Sequence, residues 1–153
     1  MKEFLLVRHA KSSWSDPGME DRFRPLNKRG KTDGPFMAKY CRGLGLKLSH
    51  LISSPAVRAH STATFFLDEY EASNVPLHKE TDLYFCSQSE WMDLINELDD
   101  SEIIFPAFFS HNPTITYFAN AFGGKQIENV PTCGVIHLKS TMDKWSKVDY
   151  SNT

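Results

Sequence analysis

Apolar positions in this chain follow two patterns: short unbroken runs, and runs spaced to share one side of a helix. "FLLV", residues 4 to 7, is an unbroken run and predicts a strand covered on both faces. Residues 11 to 25 are polar, contain Ser, Asp, Pro and Gly, and predict a loop long enough to be functional. From Asn27, a suitable N-cap, to about Leu44 the spacing becomes helical, with Phe36, Met37, Tyr40, Cys41 and Leu44 on one face. Gly34-Pro35 within it predicts a kink or a division into two helices.

"HLISS", 50 to 54, predicts a second strand, and Pro55 opens a helix with Ala59, Thr62, Ala63, Phe66 and Tyr70 on one face. A third strand is expected near Val75 to Leu77, either extended or followed by another stretch near Leu83 to Phe85. "SQSEWMDLINEL", 87 to 98, is amphipathic through Trp91, Leu94, Ile95 and Leu98. "EIIFPAFFS", 102 to 110, reads as a strand with an irregular start at its proline. A helix over 112 to 122 follows, then strands at "GVIHL", 134 to 138, and "KWSKVDY", 144 to 150, antiparallel at one edge. Strands alternating with helices give an α/β class: a three-layer sandwich with a mostly parallel central sheet flanked by helices. Without an internal repeat or linker, the expectation is one domain over residues 1–153.

Composition narrows the partners. The 17 Lys and Arg against 19 Asp and Glu give a formal net charge of -2, so no broad basic field points to nucleic acid. No run approaches the roughly 18 apolar residues of a membrane span, and no signal peptide precedes Arg8 and His9, so neither a membrane nor an export route is expected. The 3 cysteines, Cys41, Cys86 and Cys133, have no zinc or disulfide spacing, which suits a reducing cytoplasm. His50, His78 and His137 lack metal-site spacing, so no metal or other cofactor is expected.

Three strand ends carry the candidate chemistry. The first ends in Arg8-His9, the second runs into "SSPAVR", and the fourth ends in "SHNP". The sequence predicts Ser54 as N-cap and Pro55 as first residue of a helix bearing Arg58 in its first turn; Asn112 and Pro113 repeat that grammar after His111. Ligands of open α/β sheets bind outside the strands' carboxyl ends, so Arg8, His9, Arg58 and His111 are expected on one rim. Paired arginines suit a phosphoryl dianion, a neutral imidazole is a competent nucleophile toward phosphorus, and a second imidazole can stabilise the transferring group. Lys11, Ser12 and Asn112 are further candidates for touching phosphate or substrate, although Asn112 has capping as a simpler role. Trp14 either walls the pocket or pins the loop, and His60 is expected to point elsewhere. Cys133 in "PTCG" lacks the glycine-rich loop and following arginine of a cysteine phosphatase and reads as a buried thiol.

"LVRHA", "SSPAVRAHSTA" and "SHNPTI", in this order, resemble the histidine phosphatase superfamily. The loop "SSWSDPGMEDRFRPLNKRG" and the late "NVPTCGV" resemble its SixA-like phosphohistidine phosphatase branch, and the likeness extends to about residue 138. The resemblance implies a phosphoglycerate mutase-like fold, with His9 as nucleophile and Arg8, Arg58 and His111 completing a phosphate pocket. Larger members supply a carboxylate general acid after the third strand. Here "KETDLYFCSQSE" offers Glu80, Asp82 and Glu90, and none falls at a match. A pocket without an acid suits a phosphoramidate, whose nitrogen leaves protonated, better than an alkyl ester. The expected partner is therefore a phosphorylated protein, with phosphohistidine favoured. The alternatives are a phosphatase for a small phosphomonoester and a phosphate-binding adaptor without turnover.

Overall fold

The computed structural model describes residues 1–153. The elements are β1 (Lys2–Arg8), α1 (Lys28–Gly43), β2 (His50–Ser53), α2 (Val57–Glu69), β3 (Leu77–Lys79), α3 (Gln88–Asn96), β4 (Pro106–Ser110), α4 (Thr114–Ala121) and β5 (Val135–Ser140). The sheet order is β3-β2-β4-β1-β5. The β1–β4, β2–β4 and β2–β3 pairs are parallel, and β5 runs antiparallel on β1. No helix is long and apolar enough to cross a membrane.

The sheet is buried on both faces because its central strands are apolar at successive positions. Phe4 and Leu6 of β1 join Ile52 and Phe108 beneath α3 and α4, with Trp91, Ile95, Ile115 and Phe118. Leu5 and Val7 join Leu51, Ala107 and Phe109 beneath α1 and α2, with Ala38, Cys41, Ala63 and Phe66. The result is a three-layer α/β sandwich, as the alternation of elements predicts. Burying a side chain such as Leu5 or Val7 contributes roughly 1.5–3 kcal/mol, and here that energy holds β1 rigidly behind Arg8 and His9.

Several local expectations are corrected. α1 is one helix through Pro35 and not two, and the face it buries is Gly30, Gly34, Ala38 and Cys41, while Phe36, Tyr40 and Leu44 are exposed. Small residues set that face, because a Cβ on Gly34 would lie 2.3 Å from the Phe65 ring of α2. α2 begins at Val57 after Ala56; Ser54 accepts from the Ala56 N–H at 3.3 Å but does not cap the helix. Likewise α4 is preceded by Pro113, and the Asn112 side chain caps nothing. β3 lies slightly later than expected, and residues 81–83 form a 3-10 turn. β4 begins only at Pro106, whose missing N–H suits a strand's first position. Residues 145–147 form a 3-10 turn and no strand, with Trp145 fully buried and its indole N–H donating to the Ile103 carbonyl at 2.6 Å.

Candidate active site

The parallel register sets the site. Arg8 lies opposite Ser110, so the next residues, His9 and His111, leave adjacent strand ends together, and the His9 N–H donates to the Ser110 carbonyl at 3.1 Å. Their ring centroids are 5.3 Å apart. β2 ends beside β4, with Ser53 opposite Phe109, and this brings Ser54 to 2.7 Å from His111 Nε2.

His9 is buried, and its Nδ1 lies 2.7 Å from the Ala10 carbonyl, an obligate acceptor. Nδ1 therefore carries the proton. Arg58 Nε, an obligate donor, points at Nε2 from 3.3 Å, which leaves a lone pair on Nε2. Burial pushes the His9 pKa down to about 4, Arg58, Arg8 and Arg24 adding to the fall against the opposing Ala10 hydrogen bond. Burial, with Arg58 and His9 next, pushes His111 down to about 3. Both imidazoles are neutral at pH 7. Ser54 accepts from the Ala56 N–H and has its hydroxyl proton to give to His111 Nε2; with Ser54 as that donor, the His111 proton lies on Nδ1.

Arg58 occupies the first turn of α2, as its sequence context predicts, and α2 is bolted to the chain leaving β1. Thr62 Oγ1 donates to the Arg58 carbonyl at 2.7 Å and accepts from the Ala10 N–H at 2.9 Å. The far side of the Arg58 fork is held by a residue that sequence reasoning missed. Nη1 donates to the Asp21 carbonyl at 2.6 Å and Nη2 to Asp21 Oδ2 at 2.8 Å. Tyr84 donates its hydroxyl to the same Oδ2 at 2.7 Å, and its ring meets His111 edge-on at 5.5 Å. Burial opposes ionisation of Asp21, but the Tyr84 and Arg58 hydrogen bonds outweigh it and hold its pKa below the ordinary carboxylate value.

Asp21 sits on a 3-10 turn inside the long 11–25 loop, which is pinned at both ends. The Ser13 N–H donates to the Pro25 carbonyl at 2.8 Å, and the Asn27 N–H to the Lys11 carbonyl at 2.9 Å. Arg24, also missed, is buried in this loop. Its Nη2 donates to Ser12 Oγ at 2.7 Å, its Nε lies 3.3 Å from Asp21 Oδ1 as an ion pair without hydrogen-bond alignment, and its guanidinium stacks 3.4 Å from the Trp14 ring centre. The visible signal was the carboxylate and arginine spacing of "EDRFR" in an unusually long loop; which residue would fold inward was not readable.

The remaining candidates divide. Arg8 joins the site through its position, with Nη1 on the Val130 carbonyl at 2.7 Å. Ser12 is buried and supports Arg24. The Asn112 amide donates to Asn129 Oδ1 at 2.7 Å and the Val130 carbonyl at 3.2 Å, and accepts from Thr116 at 2.7 Å. It therefore ties the 129–133 segment to the end of β4. Lys11 is exposed, and its ammonium makes no hydrogen bond or ion pair within the chain. Trp14 is exposed beneath Arg24, whereas Cys133 is a buried thiol with its pKa pushed up to about 12 by burial.

Arg8 Nε, Arg24 Nη1 and His111 Nδ1 are buried without a hydrogen-bond partner in the protein. Buried donors are ordinarily paired, so these nitrogens, on side chains that act electrostatically on or pack against His9, have capacity left for an added acceptor such as an anion.

Comparisons with known proteins give the fold and the family. SixA from Agrobacterium tumefaciens, assigned as a phosphohistidine phosphatase, superposes with a TM-score of 0.82 at 23% identity, over 91% of this chain and 92% of that one. The protein histidine phosphatase SixA in complex with tungstate superposes with a TM-score of 0.75 at 20% identity, over 90% and 88%. At these identities the likenesses establish the phosphoglycerate mutase-like fold. An uncharacterized chloroplastic protein of Arabidopsis thaliana is 25% identical over 95% of this chain and 70% of its own length. The model of the histidine phosphatase superfamily (branch 1) matches residues 4–102, and the chain belongs to that superfamily.

Proposed function

We propose that residues 1–153 act as one cytoplasmic histidine phosphatase domain, that His9 is its nucleophile, and that its substrate is a histidine-phosphorylated protein. The observation that carries the reading is the pairing of His9 Nδ1 with Ala10 and of Nε2 with Arg58, which leaves a neutral imidazole with its lone pair on the pocket side. Arg8, Arg24 and Arg58 neutralise the phosphoryl oxygens, doing by charge what a metal ion does in other phosphatases. Arg58 Nε exchanges His9 for a phosphate oxygen, and Nε2 attacks phosphorus in line. The new P–N bond forms as the bond to the leaving nitrogen breaks; the substrate imidazole, already protonated on its other nitrogen, takes the electron pair and departs neutral. Water then attacks the phosphohistidine, the P–Nε2 bond breaks, and inorganic phosphate departs. His111 Nδ1–H donates to an equatorial oxygen in both steps.

The state of Asp21 favours a P–N bond. It is the carboxylate beside the phosphate donors, and it is held ionised by Tyr84 and Arg58, so at neutral pH it has no proton to give an alkoxide. The SixA neighbours, described as phosphohistidine phosphatases, fit the same substrate class. The 3 buried free cysteines suit a reducing compartment.

Rapid quenching with phosphate-labelled substrate tests the mechanism. Acid-labile, base-stable label on His9, absent in His9→Ala, is expected. A His9→Ala enzyme with wild-type rates would overturn it, and retained phosphate binding without any turnover would favour an adaptor. Comparing kcat/KM for a phosphohistidine protein with a panel of phosphomonoesters tests the substrate class.

A further inference from the structure

Three large apolar side chains are exposed around Asp21, the residue that holds Arg58 beside His9. Trp14 is 72% exposed, Phe23 51% and Phe85 77%. They come from the two segments that meet at Asp21: the 11–25 loop, and residues 84–86 after β3. Tyr84 links them, with its hydroxyl on Asp21 and its ring 4.0 Å from that of Phe85. Isolated exposed apolar residues are ordinary, but several bordering one polar pocket mark a recognition surface.

These side chains are held outward. Phe85 lies between two buried residues, Tyr84's neighbour Leu83 and Cys86, which fix the segment to the core. Phe23 is followed by buried Arg24, and Trp14 stacks on the same guanidinium. A rim preset in this way loses little freedom on contact with a partner. It also diverges. The apolar hollow lined by Ile52, His78, Leu94, Leu98 and Phe108 contains none of these residues. A small apolar molecule is usually buried on most sides in a concave site, whereas outward aromatic anchors suit a broad opposing surface.

We infer that Trp14, Phe23 and Phe85 form a docking collar for an apolar protein surface flanking the phosphorylated side chain. The inference rests on the phosphatase reading above for the orientation of the partner, because whatever carries the phosphate to His9 must lie across this rim. The exposed charges beside the collar, Lys11, Asp16, Glu20, Arg22 and Asp82, are of mixed sign, so apolar complementarity is the selecting feature.

The test uses two peptides carrying a non-hydrolysable phosphotriazolyl mimic of phosphohistidine, one with leucines flanking the mimic and one with serines. Wild-type protein should bind the leucine peptide about tenfold more tightly, and Phe23→Ser/Phe85→Ser should lose most of that preference. Turnover of inorganic phosphoramidate, which has the P–N bond and no flank, should stay within about twofold in the double variant. Equal binding of the two peptides by wild-type protein overturns the collar. So does an equal loss by the double variant on both peptides, or a loss of phosphoramidate turnover matching the loss of peptide binding. Absence of turnover in wild-type protein with the peptide preference intact would instead reject the phosphatase reading and leave the collar standing.

Discussion

Arg58 Nε donates to His9 Nε2 at 3.3 Å while Asp21 holds the opposite edge of the same guanidinium through its carbonyl and its carboxylate. One side chain thereby keeps the imidazole's lone pair on Nε2 and is aimed by a carboxylate from a loop. Arg58 is planar and must donate, so its orientation settles the His9 tautomer as well as the charge of the pocket.

Arg58→Lys should not be conservative. An ammonium cannot hold Asp21 at two points and also reach His9. The expected loss in kcat/KM is on the order of 100-fold, equivalent to about 3 kcal/mol of transition-state stabilisation, and Arg58→Ala should lose at least as much. Steady-state kinetics of folded variants is the measurement; a loss under about twofold would remove Arg58 from the pocket.

Asp21→Asn tests the aiming role. The amide can still accept one hydrogen bond from Arg58 or Tyr84, so the loop should stay closed, but Arg58 loses its charged anchor. A loss of about tenfold in kcat/KM is expected, with a smaller loss for Tyr84→Phe, which removes one donor to Oδ2. If Asp21 acts only on Arg58, Asp21→Asn should cost little further in an Arg58→Ala background. A double-mutant cycle showing additive losses would contradict that coupling.

The strand ends were legible because apolar runs and strand-to-helix grammar are local. "FLLV" before Arg8-His9, "HLISS" before Arg58 and "FFS" before His111 each fixed one basic residue to one edge of the sheet. Asp21, Arg24 and Tyr84 were not legible, because their roles depend on long-range closure of the 11–25 loop against the segment after β3. The burial of α1 was misread for a related reason. Periodicity favoured Phe36, Tyr40 and Leu44, but the ring of Phe65 requires a glycine opposite it, and close packing against α2 selected the face with Gly34 and Ala38.

Burial of His9 and His111 should make stability fall in mild acid. Their folded pKa values, pushed down to about 4 and about 3, lie below the ordinary 6.5. Above pH 6.5 both are neutral in folded and unfolded chains, and their contribution is fully present. As pH falls below 6.5 the unfolded chain takes up protons that the folded site refuses, so stability declines toward pH 4. The decline is on the order of 3 kcal/mol per imidazole. Urea midpoints between pH 7.5 and 4.5 should fall steeply for the wild type and more gently for His9→Gln/His111→Gln. The remaining slope includes His50 and His60, which burial also lowers. Asp21 belongs to a separate window, because its contribution is lost only below the ordinary carboxylate pKa of 3.8. Identical slopes for wild type and double variant would show that neither imidazole is held neutral.

Two glycines of α1 should fail in different ways when given a methyl group. At Gly34 the new Cβ would lie 2.3 Å from Phe65 Cδ2, and at Gly30 it would lie 2.2 Å from the Lys11 carbonyl oxygen. A ring can move, so Gly34→Ala should cost about 1–3 kcal/mol of stability, much of it recovered by Phe65→Leu. The Gly30 clash is with backbone that also accepts from Asn27 and lies beside Ala10, which is fixed to Thr62. Relief there must shift the chain leaving His9. Gly30→Ala should therefore lower both stability and kcat/KM, and Phe65→Leu should rescue neither. Denaturant midpoints and single-turnover rates on the four variants give the comparison; a Gly30→Ala protein with wild-type turnover would show that the Lys11 backbone does not set the position of His9.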